Sequence, residues 1–142
     1  MKFLLTNGCI TLVFSMFFNS HSTIAQSIKS YKIGTFNSPA KISGCSYWRD
    51  NSKQGRSTSI FRTYRQSGED KALAKIDNRE IKLKRAGERS EGNYTIVVFK
   101  GVNSQVEISD YWHSSTVRVP VSITFIHDGW RKTVTANYEC SN

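Results

Sequence analysis

The fold is decided by residues 117–130, which read VRVPVSITFIHDGW. Apolar side chains occupy every second position from Val117 to Phe125, with polar residues or proline between them. This period-two alternation is typical of a strand that buries one face. Asp128-Gly129 then predicts a two-residue hairpin turn, because both positions tolerate a positive φ.

The turn also predicts the register of the hairpin. With Asp128 and Gly129 as the two turn residues, Ile123 lies opposite Val134 and Val121 lies opposite Ala136. Both strands then present their apolar residues on the same side. The same alternation places Cys140 on the buried face of the returning strand, where a disulfide could close over the core.

The rest of the chain repeats the alternation in shorter pieces. The predicted strands are 31–36, 41–48, 59–64, 72–76, 80–84, 94–100 and 105–108, and turn-rich breaks stand at 51–55, 66–70, 87–93 and 110–115. A short helix over 67–74 is the one helical alternative. Pro120 lacks an N–H and predicts an edge position or a bulge. The fold class is therefore all-β, a small antiparallel β-barrel or β-sandwich of about eight strands.

The first residues predict a secretory signal peptide that is cleaved before Gln26. Lys2 gives a positive start, and the continuous apolar run of 9–18 is too short to span a bilayer, which needs about 20 residues. An uncleaved membrane anchor is the alternative. The domain organisation is thus a signal peptide over 1–25 and a single β-rich domain over 26–142.

Two cysteines remain after the leader, Cys45 and Cys140, and in an exported chain they predict one disulfide. In the chain-entropy model, closing a loop of about 96 residues stabilises the fold by roughly 4–5 kcal/mol. The cysteines and histidines lack the spacing of metal ligands, so no metal site is predicted. The leader and the cysteine pair together place the protein in the periplasm or outside the cell.

The sequence predicts no enzyme and no cofactor, because it contains no phosphate loop, dinucleotide fingerprint or nucleophile elbow. The best catalytic alternative is the loop 109–115, where Asp110 and His113 stand beside serines. A catalytic triad needs groups that converge from separate rigid elements, and crowding within one polar loop does not supply that geometry. His127 flanks the hairpin turn and is interpreted as a strand-end residue.

The charge is strongly and unevenly basic. The chain has 20 Lys plus Arg against 11 Asp plus Glu, a net charge of +9, which becomes +8 when Lys2 leaves with the leader. The stretch from Arg49 to Arg89 carries 12 of the basic and 6 of the acidic residues. If these side chains share a face, they form an anion-attracting surface; an ordinary solvated basic face is the alternative.

Aromatic residues alternate with these cations, a combination that in an intracellular protein would favour single-stranded nucleic acid on an OB-like barrel. The leader argues against nucleic acid. The partners that remain are an acidic glycan, a lipid headgroup, a cell-wall polymer or an acidic protein. The binding residues predicted from charge are Arg49, Arg62, Arg65, Lys82, Lys84 and Arg85.

The middle of the chain, over 72–108, resembles the bacterial C-type lysozyme inhibitors, small exported barrel proteins of the periplasm. ALAKID at 72–77 followed by IKL at 81–83 resembles that family's strand-turn-strand. SEGNY at 90–94 is similar to its Ser-Gly-x-x-Tyr segment, with one residue inserted after the serine, and FKG at 99–101 is similar to its aromatic-Lys-Gly turn.

The resemblance implies that Ser90 and Lys100 enter the cleft of a lysozyme. Two functional hypotheses follow from the sequence. The first is an exported, non-enzymatic binding protein with a basic surface. The second is a periplasmic inhibitor of a lysozyme-like cell-wall hydrolase.

Overall fold

The computed structural model describes residues 29–37, 43–49, 58–111 and 120–141. The strands pair in chain order, and the last pairs with the first, so the sheet is a closed antiparallel barrel. The all-β prediction is confirmed in its barrel form. The predicted leader lies outside the described residues. The eight strands are β1 (Gly44–Arg49), β2 (Phe61–Gln66), β3 (Glu69–Ile76), β4 (Arg79–Glu91), β5 (Tyr94–Gly101), β6 (Ser104–Tyr111), β7 (Val121–His127) and β8 (Trp130–Ser141).

The hairpin of β7 and β8 has the predicted register. Ile123 is opposite Val134 and Val121 is opposite Ala136. Asp128 and Gly129 both have positive φ, at 46° and 81°. Such a turn follows the right-handed twist of the two strands, which is why the turn and the alternation agree. Pro120 is exposed and directly precedes β7, where its missing N–H removes no ladder bond.

The core lies inside the barrel and consists of the inward-pointing residues of alternating strand positions. Phe61 and Phe125 have no exposed surface. The ring of Phe61 contacts those of Tyr47, Phe99 and Phe125, with centroids 5.6, 5.8 and 6.2 Å apart. Burial of each large apolar side chain contributes about 1.5–3 kcal/mol. The aromatic cluster therefore joins strands that are distant along the chain.

The predicted disulfide is present and closes the barrel covalently. Cys45 on β1 is directly opposite Cys140 on β8, and the two sulfur atoms are bonded. Cys140 lies on the same face of β8 as Ala136 and Tyr138, as predicted, but its side chain is exposed because it lies near the end of the strand. Cys45 is the partner that packs against the core. A disulfide indicates an oxidising environment outside the cytoplasm.

Three predicted elements differ from the structure. Residues 31–36 form no strand and make only two isolated bridges, Ile33 with Ile76 and Phe36 with Ser59. The break predicted at 87–93 is mostly strand, since β4 continues to Glu91 and its irregularity is a bulge at Arg85–Gly87. The helical alternative at 67–74 is wrong as well, because this segment is the turn and first part of β3.

The N-terminal described segment lies across one end of the barrel. Gly34 N donates to Lys75 O, and Lys32 N donates to Oδ1 of Asp77 in the β3–β4 turn. Tyr31 Oη donates to Oδ2 of Asp128 in the β7–β8 turn. These contacts cover the end that carries both turns. The opposite end, which we call the mouth, carries the β2–β3 and β4–β5 turns and holds a cavity.

Candidate functional site

Six cationic side chains point outward from four neighbouring strands. Their neighbours along each strand are core residues, such as Phe61, Ala72, Leu83 and Phe99, so the cations take the outer face of the sheet. We call this surface the basic face. It consists of Arg62 on β2, Lys71 and Lys75 on β3, Lys82 and Lys84 on β4, and Lys100 on β5.

Strand register aligns the cations of the basic face in rows across the strands. Tyr64 is opposite Lys71, Lys71 is opposite Lys84, and Lys84 is opposite Lys100. Neighbouring strands are about 4.8 Å apart, so this row covers about 14 Å. The row offers three ammonium groups and one phenol to a ligand that lies across β2–β5.

Two carboxylates lie on the basic face and leave it positive. Glu69 Oε2 is 3.7 Å from Lys71 Nζ and 3.4 Å from Lys84 Nζ, so a single carboxylate is shared between two lysines. Glu80 is opposite Lys75 in the β3–β4 ladder. Six cations against two acids give this face a net charge of +4. The side chain of Lys84 is 70% exposed and available to a partner.

Arg62 lies on β2, at the edge of the basic face, and its side chain is fixed by contacts with its neighbours. Its Nε donates to Ser59 Oγ at 2.7 Å, and its guanidinium lies 4.6 Å from the ring centroid of Phe36. Partial burial lowers the pKa of Arg62, and the charge of Glu80 opposes that shift. Lys75 Nζ lies on the same ring at 5.2 Å.

Two of the predicted binding residues belong to the mouth rather than to the basic face. Arg65 and Arg85 stand on either side of Asp70, with Arg65 Nε 3.7 Å from Oδ1 and Arg85 Nη1 3.3 Å from Oδ2. Arg85 also donates to Glu88. Asp70 and its two arginines line a cavity of about 560 Å³ at this end of the barrel.

The remaining predicted binding residues are dispersed. Arg49 is exposed at the end of β1. Ser90 is exposed on β4 and lies opposite Thr95 of β5. Thr95 is five residues from Lys100, so Ser90 and Lys100 are about 17 Å apart along the strand direction. The structure therefore does not bring Ser90 and Lys100 together. Lys53 and Arg56, two of the cations counted in the sequence, lie outside the described residues.

Arg89 is occupied on the outer surface. Its Nε donates to Glu91 at 2.8 Å and its Nη2 to Glu107 at 3.2 Å, and these hydrogen bonds raise the pKa of Arg89. The pair with Glu107 connects β4 to β6 across β5, beside the buried side chains of Ile96 and Val98. Arg89 thus contributes to the packing of the outer surface rather than to the basic face.

The catalytic alternative is divided between described and undescribed residues. His113 lies outside the described residues, whereas Asp110 on β6 lines the cavity of the mouth. His127 is the last residue of β7, as predicted. Its Nδ1 is 2.7 Å from Ser104 Oγ and its ring packs edge-on against Tyr31 at 4.8 Å, so it holds the covered end of the barrel together.

The predicted binding residues did not include Lys71, Lys75 and Tyr64, although all three lie in the basic stretch from Arg49 to Arg89, and sequence reasoning missed the cavity entirely. The alternation could have supplied the three residues, because their neighbours along the strand point inward. The cavity depends on how eight strands close, which no local pattern reports. No group of three His, Cys, Asp or Glu able to hold a metal is found among the described residues.

Comparison with known proteins gives no match: no family model, no curated protein and no solved structure matches the chain. Among the described residues, none forms a helix long and apolar enough to cross a membrane. The barrel is an eight-stranded meander and therefore differs from the OB-fold, which has five strands in Greek-key order.

Proposed function

We propose that this chain is an exported, non-enzymatic binding protein, in the periplasm or outside the cell, whose basic face holds an acidic polymer of the cell envelope. The observation that carries the proposal is the row Tyr64–Lys71–Lys84–Lys100, together with the net charge of +4 on the face around it. A positive potential of this kind attracts anions and accelerates their association.

A polymer suits the basic face better than a single small anion. The lysines stand on separate strands about 4.8 Å apart and follow one line, so they meet successive charges of a linear chain. Each exposed pair contributes only about 0.3–1 kcal/mol, so useful affinity needs several pairs at once. Tyr64 and Leu73 on the same face supply apolar contact beside the charges.

The test compares two variants with the same change in net charge. In the first, Lys71, Lys84 and Lys100 are changed to Gln. In the control, three exposed cations away from the basic face are changed to Gln, namely Lys29, Arg131 and Lys132. Binding to heparin, to poly-L-glutamate and to phosphatidylglycerol vesicles is measured at low and high salt.

The first variant is expected to lose about tenfold in affinity for heparin, since three weak pairs total roughly 1.5 kcal/mol. The control is expected to keep most of its affinity, and binding of the unaltered protein weakens in high salt. Equal losses in both variants, or binding that ignores salt, would contradict the proposal. Preference for the vesicles would assign the face to lipid headgroups, and preference for poly-L-glutamate to an acidic protein.

Inhibition of a lysozyme-like cell-wall hydrolase is a second candidate function. It is favoured by the closed barrel and by the disulfide between an early and a late cysteine, both of which fit the family that residues 72–108 resemble. The exposed positions of Ser90 and Lys100 leave both accessible to an enzyme. The test adds the mature protein to a lysozyme turbidity assay, with Ser90→Ala and Lys100→Ala as variants.

Slower clearing at equimolar protein, relieved by either variant, would support the inhibitor function. Unchanged clearing at excess protein would remove it. The same two variants separate the candidate functions, because Ser90→Ala leaves the basic face intact and should not change heparin binding.

A further inference from the structure

The mouth of the barrel contains a cavity that the proposed function does not use. Its volume is about 560 Å³, within the range of roughly 300–1,000 Å³ that small-molecule sites occupy. The interior of an eight-stranded barrel is just wide enough either to be filled by side chains or to hold one small ligand. The described residues around this cavity come from β1 to β8, so the whole barrel shapes it.

The inner wall of the cavity is apolar. Val97, Phe99, Ile108 and Val121 line it, together with the rings of Tyr47 and Tyr138. The two tyrosine rings are stacked with centroids 5.5 Å apart. A wall of aliphatic and aromatic side chains favours a hydrocarbon group, because that group leaves water on entering.

The rim on the β2–β4 side carries more hydrogen-bond donors than its acids can accept. Two guanidinium groups, each with five N–H donors, share Asp70, and Arg85 also meets Glu88. Arg65 reaches Asp70 only at 3.7 Å, and its side chain is 72% exposed, so this pair is weak. Arg65 can therefore turn toward an anionic group at the mouth.

On the β2–β4 side two arginines meet the carboxylates of Asp70 and Glu88, whereas the opposite rim carries a carboxylate. Asp110 on β6 lines the cavity across from the arginines. A carboxylate beside Asp110 would be repelled, whereas one beside Arg65 and Arg85 would form charge-assisted hydrogen bonds. The basic face, whose residue Lys84 is adjacent to Arg85 in the chain, adds positive potential on the same side.

We propose that the mouth binds an amphiphilic monocarboxylate, with its hydrocarbon chain inside the cavity and its carboxylate held by Arg65 and Arg85. The site is distinct from the basic face and goes beyond the proposed function. The head group lies on the β2–β4 side of the rim, away from Asp110. The apolar wall favours a hydrocarbon chain in the ligand, and the two arginines favour a negatively charged head group.

The test measures binding of three probes of equal chain length, dodecanoate, dodecanol and dodecylamine, by titration calorimetry at concentrations below their micellar or solubility limits. Dodecanoate is expected to bind at least tenfold more tightly than the other two. Arg65→Gln combined with Arg85→Gln should lower dodecanoate affinity at least tenfold and leave dodecanol within threefold. Thr95→Trp, which fills the mouth from a half-buried position on β5, should weaken all three probes.

Asp110→Asn distinguishes a carboxylate bound by Arg65 and Arg85 from a cationic head group bound by Asp110. Removal of the negative charge should tighten dodecanoate binding severalfold, because it removes a repulsion. Weaker dodecanoate binding in this variant, tighter binding of dodecylamine than of dodecanoate in the unaltered protein, or no binding of any probe would each overturn the proposal. Circular dichroism of every variant verifies that the barrel is intact, and Asp110→Asn keeps both arginines and the core unchanged.

Discussion

Cys45 and Cys140 face each other directly across the ladder between the first and the last strand, with their Cα atoms 3.9 Å apart. The disulfide therefore joins the two strands whose pairing closes the barrel. The two cysteines are 95 residues apart in the chain. Without the disulfide, pairing β1 with β8 therefore costs more conformational entropy than any other strand pairing of the barrel.

Removal of the disulfide should lower stability strongly. The double variant Cys45→Ser with Cys140→Ser is expected to lose about 4 kcal/mol of unfolding free energy, because its unfolded chain regains the freedom of the long loop. Urea unfolding monitored by circular dichroism measures the loss. Dithiothreitol should destabilise the unaltered protein by a similar amount and have no effect on the variant; insensitivity of the unaltered protein would contradict the prediction.

Gly44 should tolerate no side chain. A Cβ at this position would lie 2.0 Å from the backbone oxygen of Thr63, and its φ of +157° is unfavourable for other residues. Because that oxygen belongs to the paired strand β2, Gly44→Ala should cost about 1–3 kcal/mol through overpacking. Gly87→Ala is the matched control, since nothing lies within 4 Å of its Cβ position. Equal urea midpoints for the two variants would contradict the argument.

Phe61 should be the most sensitive of the core aromatics, since its ring meets three others and has no exposed surface. Phe61→Ala is expected to destabilise the barrel by about 3–5 kcal/mol. This cost combines the lost free energy of transferring the ring out of water with the cost of the cavity left behind. Val102→Ala serves as the control, because Val102 is 86% exposed in the β5–β6 turn and its loss should stay within about 0.5 kcal/mol.

Tyr47 should make stability fall in strong alkali. Burial raises the pKa of Tyr47 from 10.0 to about 12, and the charge of Asp110 adds to the shift. Between pH 10 and pH 12 the unfolded chain loses a phenol proton that the folded chain retains, so rising pH favours unfolding. The contribution of Tyr47 to the free energy of unfolding is fully present below pH 10. About 2–3 kcal/mol of it is lost by pH 12.

Urea midpoints measured from pH 9 to pH 12 test this dependence on Tyr47. Tyr47→Phe should flatten the slope relative to the unaltered protein. A phenol that titrates late in ultraviolet absorbance should disappear in Tyr47→Phe. An unchanged alkaline slope in that variant would show that other groups cause it.

The fold could be predicted where the signal is local. Alternation from Val121 to Phe125 and the positive φ required at Asp128 and Gly129 determine a hairpin without reference to the rest of the chain. Local reasoning failed at 87–93, where glycine and charged residues look like a loop. There β4 continues because its partner β5 supplies a ladder as far as Tyr94, with one bulge absorbing the misfit.

By itself, the sequence determined that this protein is an antiparallel β domain with a basic middle and a cysteine pair, because alternation, turn chemistry and charge are properties of neighbouring residues. Only the tertiary structure decided barrel against sandwich, which cations share the basic face, and that Arg65 and Arg85 line a cavity. Those properties depend on the register between strands and on the closure of β8 against β1. Both are set by long-range packing of side chains that lie far apart in the chain.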